Sequence, residues 1–200
     1  MEFRLVYQGP LFANGSPAHK HDVRKQFHPQ LRRLWQTHPA LKFMIDNGIA
    51  TLTANRESPS CGIVTLDEYA DMFKAGNFRF VPLVAKCFAT ACCLDILLLR
   101  PDRSDPLVSQ AGDVDNRIKT PFDALRIPEP DEVKGLTPAD GEDPFFCLLE
   151  DDALIVEFHI SADRLLVLPA GAGHWENHAH VVLTITLKLV RSVPLSQAFL

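Results

Sequence analysis

The apolar run from Phe80 to Leu99 constrains this chain more than any other stretch. A segment of that length either crosses a membrane or lies at the centre of a core. Pro82, Lys86 and Asp95 interrupt it, so it reads as strands and not as a membrane helix. From Lys86 to Arg100 the residues alternate in size as in one long strand. Cys87, Ala89, Ala91 and Cys93 are small on one face, and Phe88, Cys92, Leu94, Ile96 and Leu98 fill the other. The small face is expected to receive the helix that opens near Asn116, because small side chains allow close approach. Asp95 falls on that face, as a strand-edge acid with hydrogen bonds or as a fourth acid near a metal. Cys92 and Cys93 point to opposite faces and are not expected to act as a redox pair.

Around this run the periodicity alternates between strand and helix. Phe3, Leu5 and Tyr7 alternate with polar neighbours until Gly9-Pro10, which predicts a first strand. Val23, Phe27, Leu31, Leu34 and Trp35 share one face of a helix over about Lys20 to Gln36, with Arg24, His28 and Arg32 on an adjacent stripe. Pro39 and Asn47-Gly48 bracket a short helix. Thr65 with Glu68 forms a capping-box pattern, and Gly76 is placed at the C-terminal stop of the helix it opens. Residues 56–62 and Pro128 to Asp143 read as loops, the latter flexible or lid-like. Val181 to Val190 alternates as a sheet strand.

The chain has 200 residues, enough for one domain with a sizeable core, and 46% hydrophobic with 22% charged is ordinary globular composition. Five cysteines without C-x-x-C spacing read as reduced thiols of a cytoplasmic protein. Met1 to Tyr7 has no uninterrupted apolar core of the kind a signal peptide needs. The net charge of -5 argues against a uniformly basic nucleic-acid coat, but the charge is segregated. A basic N-terminal segment over about residues 1–44 carries Lys20, Arg24, Lys25, Arg32 and Arg33, while most carboxylates lie between Asp102 and Glu157. A basic arm facing an acidic pocket allows an acidic protein to hold DNA.

The carboxylates form two clusters. In G-D-V-D-N-R-I-K-T-P-F-D-A-L, from Gly112 to Leu125, Asp113 and Asp115 stand one residue apart at the end of an extended approach and point the same way. Asn116 can cap the helix, and Lys119 and Asp123 follow Asp115 at intervals of four. Like charges so close call for a cation between them, and carboxylate oxygen suits a hard divalent ion. The run is no EF-hand loop, since Ile118 replaces the glycine and the twelfth-position glutamate is missing. The second cluster, Asp151-Asp152, precedes a run of strand character from Ala153 to Ile160. His174, His178 and His180 are close in sequence, but no fourth zinc ligand has clear spacing.

The D-x-D-N-x-x-K-x-x-x-D-A-L spacing followed by a D-D step at a strand mouth resembles the RusA-type Holliday junction resolvases, endonucleases common in bacteria and their prophages. The resemblance runs from the strand before Arg100 to about Ile160. It implies Mg²⁺ held by Asp113, Asp115 and Asp152, with Asp151 a neighbour and Lys119 assisting at the phosphate. It also implies a homodimer acting on branched DNA and no membrane association. Lys20, Arg24, Lys25, Arg32, Arg33 and Arg117 are the expected DNA contacts. The chain departs from the family between Pro128 and Leu149, an inserted acidic loop where members turn back quickly.

The expected architecture is therefore a single α+β domain over residues 1–200, with a mixed, largely antiparallel sheet backed by helices. The expected activity is Mg²⁺-dependent hydrolysis of phosphodiesters in branched DNA. The alternatives are a non-cleaving DNA-binding protein on the same scaffold, and an intracellular interaction protein whose acids are caps and surface pairs.

Overall fold

The computed structural model describes residues 1–52, 61–101, 111–166 and 178–190, with side chains from Ile118 onward in the third segment. It is a mixed α+β fold with helices packed on mixed sheets. The elements follow in the order β1 (Glu2–Pro10), α1 (Pro17–Thr37), α2 (Pro39–Asn47), β2 (Ile49–Leu52), β3 (Cys61–Val64), α3 (Leu66–Asp71), β4 (Lys74–Ala75), β5 (Phe78–Val84), β6 (Thr90–Pro101), α4 (Ala111–Leu125), β7 (Phe145–Leu149), β8 (Ile155–Leu165) and β9 (His178–Leu189).

The main sheet has the order β1-β9-β6-β8, antiparallel except for the parallel pair β6 and β8. A second sheet, β4-β5-β7, pairs β5 with β7 in parallel, and β2 with β3 makes a hairpin-like pair. The apolar run thus divides between two sheets. Lys86 to Phe88 forms a 3₁₀ turn, Ala89 takes a left-handed conformation (φ 52°), and β6 starts only at Thr90. The expected single strand from Lys86 is shortened because this turn carries the chain from one sheet into the other.

Alternation on β6 is as expected, but the helices take the opposite face. Leu94, Ile96 and Leu98 are buried in one core with Ile118 and Leu125 of α4 and with Val23, Phe27, Leu31 and Trp35 of α1. The small face, with Cys93 and Asp95, lies on the side away from that core. The large side chains bury more apolar area against a helix than the small ones would, and that outweighs the closer approach that small residues allow.

Local signals behave as their chemistry requires. Ser16 caps α1 by accepting from His19 N–H. Thr65 and Glu68 complete both bonds of the capping box on α3. Gly76, however, sits at φ 56° in the β4–β5 turn, five residues past the end of the helix. The outer edge of β1 is closed by side chains of α1. Gln30 pairs with both the N–H and the carbonyl of Val6, and Gln26 accepts from Gln8 N–H. These amides stand in for a neighbouring strand.

The segment expected as a flexible lid is tied down. Val133 is buried, Leu136 O accepts from Asn77, and Gly141 O accepts from Arg32. His28 Nδ1 accepts from Phe146 N–H at 2.8 Å, so its Nε2 carries the proton and donates to Gly141 O at 2.9 Å. Residues 130–142 therefore lie as a strap across α1.

Candidate nuclease site

Helix α4 is fixed along its second half by three different neighbours. Ile118, Ala124 and Leu125 enter the core. Thr120 is fully buried, and its hydroxyl accepts from Gly15 N–H at 3.0 Å and donates to Phe12 O at 3.1 Å. A Cβ at residue 15 would fall 2.9 Å from that hydroxyl, so glycine is required for the loop to reach α4. Beyond the helix, Ile127 N–H donates to Leu149 O, which joins the end of α4 to β7. Lys119, next to the clamped Thr120, is exposed.

Asp123 is directed into an ionic network with α1. Its carboxylate lies 2.6 Å from Lys20 Nζ and 3.3 Å from Arg126, while Glu132 of the strap lies 3.4 Å from Lys20 and 3.5 Å from Arg126. Burial disfavours the Lys20 ammonium, but its bonds to Asp123 and Glu132 outweigh that and hold its pKa above the ordinary value. Arg24 is 1% exposed and donates from Nη2 to Asp123 O at 2.8 Å. Its Nε and Nη1 are buried without a protein partner. Burial pushes the guanidinium down to about 10, opposed by Glu132 and Asp123.

These placements correct the expected DNA-facing stripe. Arg24 and His28 point into the protein, so neither is a surface phosphate contact. Lys20 is committed to Asp123 and Glu132, and Lys25 lies 3.8 Å from Glu142. Arg32 and Arg33 are exposed, with Arg32 bonded to Gly141 O. The periodicity of four that marks the stripe also marks a helix side buried under other elements, and only the packing of α4 and the strap on α1 distinguishes the two.

The second acidic step starts a 3₁₀ turn, Asp152–Leu154, that lies against α4. Leu154 and Ile155 pack on the core, and Phe158 of β8 meets Phe122 of α4 edge to face with ring centroids 5.5 Å apart. The two segments that carry the acidic motifs are thus neighbours. Asp151 caps the turn, accepting from Ala153 N–H at 3.0 Å, and lies 3.2 Å from Lys86 Nζ. These contacts hold its carboxyl below the usual range. Both its oxygens are engaged, whereas Asp152 is exposed.

The side chains of Asp113, Asp115 and Arg117 lie outside the described residues, as does His174; the backbone of the first three is helical, because α4 starts at Ala111 and not, as expected, at an Asn116 cap after an extended approach through Asp113 and Asp115. Among the described residues, no three metal-ligating side chains converge on one point. Asp95, weighed as a fourth acid, faces away from the core shared by α4. Lys86 and Thr120 are the residues that sequence reasoning missed. Lys86 read as a strand interruption, and its partner Asp151 is 65 positions away. Thr120 carries no local signal, since its role depends on a loop more than a hundred residues earlier.

No helix among the described residues is long and apolar enough to cross a membrane. No family model matches the chain, and no curated protein matches it.

Proposed function

We propose that this chain is a Mg²⁺-dependent endonuclease acting on branched DNA, with Asp113, Asp115 and Asp152 as metal ligands and Lys119 as the cation at the phosphate. The observation that supports the reading best is the contact between α4, which carries the D-x-D-N-x-x-K spacing, and the Asp152–Leu154 turn. Asp152 and Lys119 are exposed on these adjoining segments; carboxylate oxygen is the ligand that Mg²⁺ prefers, and the ammonium suits the phosphate. When bound there, Mg²⁺ would orient and acidify a water and take up charge on a phosphate oxygen.

The protein's own groups do the rest. The three aspartates hold charge and position, and Asp151 shapes the turn that presents Asp152. The Lys119 ammonium stabilises negative charge developing on the phosphate or protonates the leaving oxygen. Gly15 and Thr120 anchor the helix turn on which Lys119 stands. With Lys20 and Arg24 committed internally, Arg32, Arg33 and Arg117 remain as the cations for backbone contact, in a homodimer that would set two such pockets on one junction.

The test is cleavage of a synthetic four-way junction with and without Mg²⁺. Asp113→Asn and Asp152→Asn should each abolish cleavage while junction binding persists. Cleavage by Asp113→Asn at the wild-type rate rejects the site. Binding without cleavage in the wild type selects the non-cleaving scaffold, and neither binding nor cleavage leaves an interaction protein.

A further inference from the structure

The two edges of the main sheet are treated differently. On β1 the outer backbone is sealed by Gln26 and Gln30 of α1. At the other end stands β8, and among the described residues no strand pairs with its outer side. It runs for eleven residues, Ile155–Leu165, and none of them is buried. It lacks the proline, the lysine and the shortness that commonly blunt an edge, and Val156 and Phe158 leave apolar surface exposed on it. A row of backbone donors and acceptors of this length is a template for one more strand.

The sequence of β8 selects the strand that fits. At its start Cys92 pairs with Ile155, but Cys93 pairs with Glu157, leaving Val156 as an extra residue. That bulge sets Glu157 and His159 on the face away from α4, and Phe158 on the face toward it. From Glu157 to Leu165 the ladder is regular against Cys93 to Pro101, and its midpoint is Ser161. Directly opposed residues of an antiparallel pair share a face, so a strand paired with its own copy has its two-fold axis level with a residue. An axis at Ser161 uses the whole regular stretch. It opposes His159 to Asp163, Phe158 to Arg164 and Ile160 to Ala162, each twice, and Ser161 to itself. Imidazole meets carboxylate, guanidinium meets ring, apolar meets apolar, and no like charges are opposed. An axis at Ile160 would set Glu157 against Asp163 twice, and one at Ala162 would set Arg164 against Ile160.

We infer that β8 pairs antiparallel with β8 of a second copy of this chain, about a two-fold axis level with Ser161, joining the two main sheets into one. The outer edges of the joined sheet are then the two β1 strands, which α1 already closes, so the pairing stops at a dimer. This gives the homodimer proposed for the nuclease an interface, but it rests on β8 and not on that activity, and its test needs neither DNA nor Mg²⁺.

The test is sedimentation equilibrium of the full chain across a concentration series. The expected mass is that of two chains, falling toward one on dilution. His159→Asp opposes two carboxylates at two places, and Asp163→Lys replaces the carboxylate facing each imidazole with an ammonium. Each should weaken the dimer by about tenfold or more. An equimolar mixture of the two variants opposes carboxylate to ammonium at one place and keeps the native pair at the other, so the dimer should return. In a Cys93→Ser background, Ser161→Cys should give a disulfide-linked dimer on oxidation with diamide, and Ala162→Cys, which faces Ile160, should not. Circular dichroism checks that each variant is folded, and where a charge variant is not, the cross-link decides. A wild type of one-chain mass at every concentration, an unchanged dimer in both charge variants, a mixture that stays monomeric, or equal cross-linking at positions 161 and 162 overturns the inference.

Discussion

The two faces of the main sheet are built from the same strands and have opposite fates. On β6, Leu94, Ile96 and Leu98 are covered by α1 and α4, while Cys93, Asp95 and Leu97 meet solvent or a shallow depression. The covered face is a continuous apolar layer. The other carries thiol, carboxylate, imidazole, hydroxyl and ammonium groups in register. The difference teaches that a strand with period two can serve stability and chemistry at once, provided its partner keeps the same phase. The bulge at Val156 sets that phase for β8.

The largest expected effect separates the faces directly. Ile96→Ala should cost about 2–5 kcal/mol in urea unfolding, through lost burial and the cavity it leaves. Asp95→Asn, one residue away, should stay within about 0.5 kcal/mol. Equal losses would mean that the outer face is covered in solution and would break the comparison.

A second effect comes from imidazoles of α1 that pack against the second sheet. His21 is 4% exposed against Phe78 and Phe145, and burial followed by the charges of Arg24 and Lys25 lowers its pKa to about 4. Burial also lowers His28, whose Nδ1 already accepts from Phe146 N–H. Between these depressed values and about 6.5 the unfolded chain binds protons that the folded chain does not. Stability is therefore complete above about pH 6.5 and falls as the pH drops toward 4, by up to about 3 kcal/mol for His21. His21→Phe should flatten that fall in pH-dependent unfolding; an unchanged slope would remove His21 as its source.

The smallest of these effects tests the edge where the covered face gives out. Phe158 is 57% exposed yet meets Phe122. Phe158→Ala should cost about 1 kcal/mol, the scale of one edge-to-face pair. A loss several times larger would place β8 within the cooperative core, and no loss would make the contact incidental.

Much of the fold was legible because its signals are local. Strand alternation in β1 and β9, the helix face of α1, the proline start of α2 and the Thr65–Glu68 box each depend on residues within a few positions of one another. The candidate site was legible only as two motifs. Their adjacency passes through the packing of α4 on the Asp152–Leu154 turn, about thirty residues apart in sequence. The stripe of Arg24, His28 and Arg32 was misread for the same reason. Its spacing states that three residues share a side of α1; α4 receives Arg24 and the strap at residues 130–142 receives His28, so two of the three are buried.

Residue order alone establishes which residues alternate, where α2 and α3 start, and that two acidic clusters stand near a lysine in a charge-segregated chain. Tertiary structure alone decided which face of β6 the helices cover, that Arg24 and Lys20 serve α4, and that Glu157 and His159 stand beside Cys93 and Asp95. The physical reason is that periodicity and capping are energies between near neighbours. The choice of covered face, strap and ladder phase is an energy of burial shared among elements a hundred residues apart.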